Sequence, residues 1–362
     1  MRKKVLVVAS TSDHLKNFHI PYIENLKKNY DVKIMAKDKE GDHFADYNIN
    51  FEKKIFSFNN IKIVHQIKKI LEKEKFDIVF VNTTLAAFLV RMAIKKLKEK
   101  PYVVNIVHGY LFGERSCFIR KTGFLFAEKI TKSVTDNIVV MNEEDEDIAK
   151  HHKLCKGEII KMKGMGIDDS RFNTTKPQKK FNTGNDYEVS FVGELTDRKN
   201  QKFLINFVKE ISKYDINIKL NLIGDGVLKN KLVKLATKKK VADRVNFLGY
   251  DNDIQKYISS SDYYISASKI EGLPFNILES MYLGAVVFAS DTKGNVDLID
   301  DLENGVLYKL GDTKDLIAKF RLVKNNKELQ EKIRKNAKET SKKYLLNAVF
   351  DENMQIFENF IR

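Results

Sequence analysis

"SKIEGLPFNILESMYLGAVVFASD", residues 268–291, decides how the chain is read. Two glutamates, Glu271 and Glu279, stand eight positions apart, with Gly-Leu-Pro between them and an apolar run punctuated by Gly284 behind them. Pro274 suits the first turn of a helix, where its missing N–H costs nothing. Glu271 then lies in the loop before the helix and Glu279 about one turn inside it, and "AVVFASD" returns the chain to a buried strand. The N–H groups at that helix start, around Leu273, Phe275 and Asn276, form a site for phosphate. A carboxylate beside them can accept hydrogen bonds from two adjacent sugar hydroxyls. The pattern fits a nucleotide sugar, with its diphosphate at the helix end, ribose on Glu279 and hexose on Glu271. A single Glu near a helix N-terminus would need only the helix dipole as its reason. The pair, with Gly-Leu-Pro and Gly284, points to a ligand.

Working outward, short apolar runs alternate with helical patterns. Residues 4–10, 31–36, 77–82, 102–109 and 137–142 read as buried strands of a first domain. Residues 188–195, 218–226, 244–250, 263–268 and 285–291 repeat the alternation in a second. Unpatterned apolar strands separated by helices are the mark of a parallel sheet covered on both faces. The polar, aperiodic stretch 166–187, with Pro177, reads as a linker. The expected layout is α/β: a Rossmann-like domain over 1–165 and a second over 188–340. A C-terminal helix over 341–362 is expected to pack back toward the first domain. Ligands of such sheets bind at the C-terminal ends of strands, and a cleft between two such domains is the default site.

The 362 residues are too many for one ordinary core, which agrees with two domains. No apolar stretch is long enough for a transmembrane helix. "MRKKVLVVASTSDHLKN" has too short an apolar run for a signal peptide and reads as a first strand. Cys117 and Cys155 lie in no metal or redox spacing, which fits a reduced, cytoplasmic protein. The net charge of +15 implies an anionic partner or a lysine-rich solvated surface. No interleaved aromatic-basic motif supports nucleic acid as that partner.

"EGLPFNILESMYLGAVVFASD" resembles the Glu-x7-Glu region of the family 4 retaining glycosyltransferases, which have the GT-B fold of two tandem Rossmann-like, doubly wound domains facing a central cleft. "NFHIPYIENLKK", "VHGYLF", "TDNIVVMNEEDEDIAK", "GMGIDDSRF" and "FVGELTDRKNQKFLI" extend the likeness over nearly the whole chain, to members of the bacterial capsule and exopolysaccharide type. The resemblance implies a UDP-sugar co-substrate, no metal and no further cofactor, with Glu271 approaching the donor sugar and Glu279 binding ribose. It also places an Arg and a Lys in the loop after the second domain's first strand. Here Lys199 is present, Glu194 stands at the usual Arg position, and Arg198 is the candidate second cation. Cations there can neutralise a diphosphate leaving group. The family keeps a His-Gly at His108 and Gly109, near the donor sugar, and Leu248 and Gly249 of "FLGY" fall on the segment whose backbone reads uracil.

Gly193 joins the donor-binding set. "GDG" at 224–226 reads as a tight turn, and "DND" at 251–253 as a turn rather than a metal clamp. "STSDHLKNFH" replaces the glycine pair of many relatives. Ser12, His14, Asn17 and His19 are candidates to face acceptor or donor, with helix capping by Ser12 or Asp13 as the other reading. The stretch 113–132 mixes Phe118, Ile119 and Phe126 with Arg115, Arg120, Lys121 and Lys129. It reads as a core helix or as a segment resting on an anionic membrane. The expectation is a retaining hexosyl or N-acetylhexosaminyl transferase acting on a lipid-linked saccharide, peripheral on the inner membrane face. A UDP-sugar epimerase of the same architecture and a basic nucleic-acid-binding protein are the alternatives.

Overall fold

The structure, a computed structural model, describes residues 2–51, 59–172 and 184–362. Two compact units are present: Met1–Gly166 together with Val349–Arg362, and Ile167–Ala348.

In the first unit seven strands form one sheet: β1 (Lys4–Val8), β2 (Asp31–Ala36), β3 (Tyr47–Asn48), β4 (Ile78–Asn82), β5 (Tyr102–Val107), β6 (Asn137–Val140) and β7 (Ile159–Lys161). Their order is β3-β2-β1-β4-β5-β6-β7, and every pairing is parallel. The second unit repeats the plan with six: β8 (Asp186–Val192), β9 (Asn217–Ile223), β10 (Val245–Gly249), β11 (Tyr263–Ser266), β12 (Val286–Ser290) and β13 (Val306–Tyr308). Their order is β10-β9-β8-β11-β12-β13, again parallel throughout. All residues of β4, β6, β11 and β12 are buried, because helices cover both sheet faces. Strand order reverses between β1 and β4 and between β8 and β11, and such switch points open a crevice at the strands' C-terminal ends.

All ten expected strands are present, several shorter than read; the first ends at Val8 rather than at residue 10. Residues 173–183 of the stretch read as a linker lie outside the described residues. Before them Ile167 bridges Leu345, and after them β8 has already begun at Asp186. The helix Leu346–Ile361 runs into the first unit, where Asn353 Nδ2 donates to Tyr22 Oη at 2.9 Å and to the Gly164 carbonyl at 2.8 Å.

The helix Phe118–Thr131 corrects the core reading of 113–132. It buries only Ala127, Glu128 and Thr131, while Phe118, Ile119 and Phe126 are 81%, 84% and 59% exposed. Its buried side is fixed by a bidentate pair. Arg91 Nη1 and Nη2 donate to Glu128 Oε2 and Oε1 at 2.9 and 3.0 Å, and Arg91 Nη1 also donates to Thr135 Oγ1. Among the described residues no helix is long and apolar enough to cross a membrane.

Candidate functional site

The loops after β8 and β11, at the switch point of the second sheet, meet through charge. Lys199 and Arg198 precede the helix Gln201–Ile211, which starts after Asn200 in a left-handed conformation (φ 57°). Lys199 Nζ donates to Glu271 Oε1 at 2.7 Å. Arg198 Nη1 donates to Glu271 Oε2 at 2.8 Å and to the Ile270 carbonyl at 3.2 Å. Glu271 and Lys199 are buried, and Arg198 is half-buried. Burial opposes ionisation of Glu271, but Lys199 and Arg198 outweigh it and hold the carboxyl at about 2. Lys199 is pulled below its own ordinary value, by burial first; the attraction of Glu271 works against that, and the repulsion of Arg198 adds to it. Both partners therefore shift downward, for different reasons.

Buried polar contacts set the Glu271 loop from behind. Tyr308 Oη donates to the Ser266 carbonyl at 2.7 Å, Ser290 Oγ to that of Ser268 at 2.6 Å and Thr292 Oγ1 to that of Lys269 at 2.8 Å. Gly294 (φ 78°) abuts the loop so closely that a Cβ would lie 2.2 Å from the Gly272 carbonyl oxygen. Only glycine fits there.

The helix after the loop is Phe275–Tyr282. Pro274 occupies its N-cap, one position before the first turn where the sequence put it. Leu273 is buried beneath the loop, and Phe275 opens the helix. The Asn276 side chain faces inward, whereas the expectation concerns its backbone N–H at the helix start. Its Nδ2 donates inward to the Val192 carbonyl at 2.9 Å and to Tyr264 Oη at 2.7 Å, fastening the helix start to the end of β8. Glu279 follows on the same helix, with its side chain 14% exposed. Burial pushes its carboxyl up to about 7, and Arg171, whose Nη1 lies 3.8 Å from Glu279 Oε1, opposes that only in part. A carboxylate in this state gains from any hydroxyl donor brought to it.

Gly193 closes β8 with φ 151°, and its N–H donates to the Ile223 carbonyl at 2.9 Å. Glu194 is exposed, and its charge still reaches Lys199, favouring the ammonium form. Leu248 and Gly249 end β10 at an irregularity in its pairing with β9; Gly249 has φ 76° and accepts from Gly224 N–H at 2.7 Å. They stand on the same sheet edge, at the outermost strand. The "DND" segment is a turn, in which Asp251 Oδ1 accepts from Asp253 N–H at 2.9 Å.

In the first unit three histidines converge where β1, β4 and β5 end. His19 Nε2 and His108 Nε2 are 3.1 Å apart, His108 Nε2 is 3.2 Å from Asn82 Oδ1, and the His14 ring lies edge-on to His108 with centroids 4.5 Å apart. Gly109, with φ 137°, follows His108. Asn17 sits on the exposed side of the helix Ser12–Phe18 and is not part of this group. Ser12 and Asp13 do not cap that helix: its N-cap is Thr11 without a side-chain bond, Ser12 Oγ donates to the Lys37 carbonyl, and Asp13 pairs with Lys39.

Sequence reading missed Arg171 beside Glu279, Tyr264 beneath Asn276, and Asn82 at His108. Arg171 lies in "GMGIDDSRF", which carried the family likeness; no local signal marks Asn82 or Tyr264.

Residues 172–340 match the family Glycosyl transferases group 1, and residues 4–140 match Glycosyl transferase 4-like. The chain is 26% identical over 372 residues to the Bacillus subtilis protein EpsD, assigned as a glycosyltransferase, across 100% of this chain and 98% of that one. It is 26% identical over 318 residues to the Escherichia coli UDP-Gal:alpha-D-GlcNAc-diphosphoundecaprenol alpha-1,3-galactosyltransferase, across 83% of this chain and 81% of that enzyme. Among solved structures, Anabaena HepE in complex with UDP and glucose has a TM-score of 0.76 at 17% identity, over 99% of this chain and 100% of that one, a likeness of fold.

Proposed function

We propose a donor, a stereochemical course and an acceptor class for this chain, which belongs to the family 4-like glycosyltransferases of GT-B fold. The reading is transfer of a hexose or N-acetylhexosamine from a UDP-sugar, with retention, to a lipid-linked saccharide of a bacterial surface polysaccharide. The observation that carries it is the Arg198–Glu271–Lys199 cluster at the β8/β11 switch point, followed eight residues on by the half-buried Glu279. The names of relatives support the donor and the acceptor: UDP-Gal and a diphosphoundecaprenol saccharide for the Escherichia coli enzyme, UDP and glucose for HepE.

Two cations against one carboxylate leave the cluster with a net positive charge. When the bond from the sugar to the diphosphate breaks, negative charge grows on the leaving oxygen, and Lys199, Arg198 and the helix start at Phe275 stabilise it. Glu271, ionised, accepts from hydroxyls of the donor sugar, and Glu279 accepts from the ribose. The acceptor oxygen attacks the face the diphosphate leaves, and its proton passes to the departing diphosphate. No separate nucleophile or base is required. His108 and Gly109 belong to the ligand-facing edge of the first unit's sheet.

The exposed Phe118, Ile119 and Phe126, on a stretch with Arg115, Arg120, Lys121 and Lys129, suit an anionic bilayer, where a lipid-linked acceptor resides.

A thermal-shift panel with UDP, GDP, ADP and four UDP-hexoses tests the donor. A ligand at 100 times its dissociation constant adds about 2.7 kcal/mol. Stabilisation by UDP and one UDP-sugar is expected; stabilisation by GDP or ADP alone overturns the donor. Conversion of a UDP-sugar with no acceptor present would replace transfer by epimerisation.

A further inference from the structure

We propose that Tyr264 and Asn276 are positioning residues for the donor's diphosphate: their side chains set the separation between the end of β8 and the start of the helix Phe275–Tyr282. The inference rests on the donor reading above, and the two residues act on the ligand through that helix start and through Gly193.

β8 and β11 pair only at their beginnings, Tyr263 with Val189 and Tyr264 with Ser190. On its other side β8 stays paired with β9 as far as Val192. Successive residues of such a strand bond to alternate neighbours. Val192, two positions after Ser190, therefore turns its N–H and carbonyl toward the side that β11 has left. Backbone groups stranded beside a crevice need other partners, and here side chains supply them. Asn276 Nδ2 donates to the Val192 carbonyl at 2.9 Å and to Tyr264 Oη at 2.7 Å. Val192 N–H in turn donates to Tyr264 Oη at 3.4 Å, and Tyr264 Oη donates to the Val192 carbonyl at 3.4 Å. Where the two strands part, this clamp replaces the ladder.

The ligand-facing pieces of the second unit meet at that parting. Gly193 follows Val192 directly, Glu271 lies in the loop after β11, and Glu279 lies on the helix that carries Asn276. Tyr264 is fully buried. Burial raises its phenol well above the usual range, and the charges of Glu271 and Glu279 both raise it further. The phenol stays neutral and lies within the field of both carboxylates. A phosphate seated on the N–H groups of the helix start needs them at a fixed distance from the β8 loop, and a misplacement of about 1 Å is costly. Tyr263 supplies the comparison. It is equally buried, faces the other side of the sheet, and donates to Gln330 Oε1 at 3.2 Å.

Calorimetric titration of UDP and of UMP into the full chain tests this, because the two ligands share uracil, ribose and the first phosphate and differ by the second. Tyr264→Phe and Asn276→Ala should each weaken UDP at least about fivefold, with UMP within twofold of the parent. Tyr263→Phe should lose thermal stability as Tyr264→Phe does and keep the parent's preference for UDP over UMP. Far-UV circular dichroism checks each fold, and Asn276→Ala alone decides the matter if Tyr264→Phe does not fold. An unchanged preference in either folded variant, equal weakening of UDP and UMP, or the same fall in Tyr263→Phe overturns the inference. A parent that does not bind UDP overturns the donor reading and this inference with it. Variants that keep the preference of a parent that does bind UDP overturn this inference alone.

Discussion

Lys199 Nζ meets Glu271 Oε1 at 2.7 Å across 72 positions of sequence, while Arg198 closes on the other carboxylate oxygen at 2.8 Å. The contact ties the loop after β8 to the loop after β11 and leaves one buried carboxylate shared by two cations. Removing one partner of such a group strands charge inside the protein, at a cost of about 3–5 kcal/mol.

Glu271→Ala is therefore expected to act twice. Transfer falls at least about 100-fold, the size of an effect confined to the transition state, while UDP still binds. The melting temperature also falls, because Lys199 and Arg198 lose their counter-ion. Lys199→Met/Glu271→Gln should be more stable than the sum of its single variants, by about 1–3 kcal/mol of coupling. Additive losses would show that the pair is not a unit.

Glu279 makes binding pH-dependent. Its folded carboxyl is raised to about 7 from an ordinary value near 4.5. Between those values the unfolded chain has released the proton and the folded chain has not, so stability falls as pH rises through that window. The whole effect is on the order of 3 kcal/mol, at about 1.4 kcal/mol per pH unit. Glu279→Gln should flatten that slope in urea melts at pH 5 and pH 8. A UDP-sugar, whose diphosphate does not titrate here, should bind more tightly from pH 6 to pH 8 in the parent and without that trend in Glu279→Gln.

Much of this fold was legible because parallel strands buried on both faces are written as plain apolar runs. "DIVFVN" and "AVVFASD" could be nothing else between polar helices. The edge strands β3, β7 and β13 were not, being only two or three residues long. Glu271, Glu279 and Lys199 were found because their spacing resembles a family pattern. Arg171 and Asn82 were not, because a side chain that meets its partner 108 or 26 positions away leaves no local trace. Helix position alone could not tell that the Asn276 side-chain amide turns toward Val192 and Tyr264.

Gly294→Ala should damage catalysis from behind. The added methyl would lie 2.2 Å from the Gly272 carbonyl oxygen and 3.1 Å from the Glu271 carbonyl carbon, on a residue with φ 78°. The loop must move, taking Glu271 off Lys199. At least about a tenfold loss of kcat is expected, since a 1 Å misplacement can cost about 100-fold, with UDP affinity within threefold of the parent. An unchanged kcat would mean the loop is not positioned from Gly294.

Phe118→Ser/Ile119→Ser/Phe126→Ser should fold normally, since all three side chains are exposed. Sedimentation with anionic vesicles is expected to fall at least about fivefold, and binding by the parent should weaken from 50 to 500 mM salt as the basic contribution is screened. Equal sedimentation of parent and variant would remove the membrane from the reading.

The assignment of Glu279 to the ribose is tested most directly by calorimetric titration of UDP into the parent and into Glu279→Ala at pH 8. A carboxylate that accepts two ribose hydroxyls predicts at least a tenfold loss of affinity, about 1.4 kcal/mol, in the variant. Equal affinity in the two proteins would contradict it.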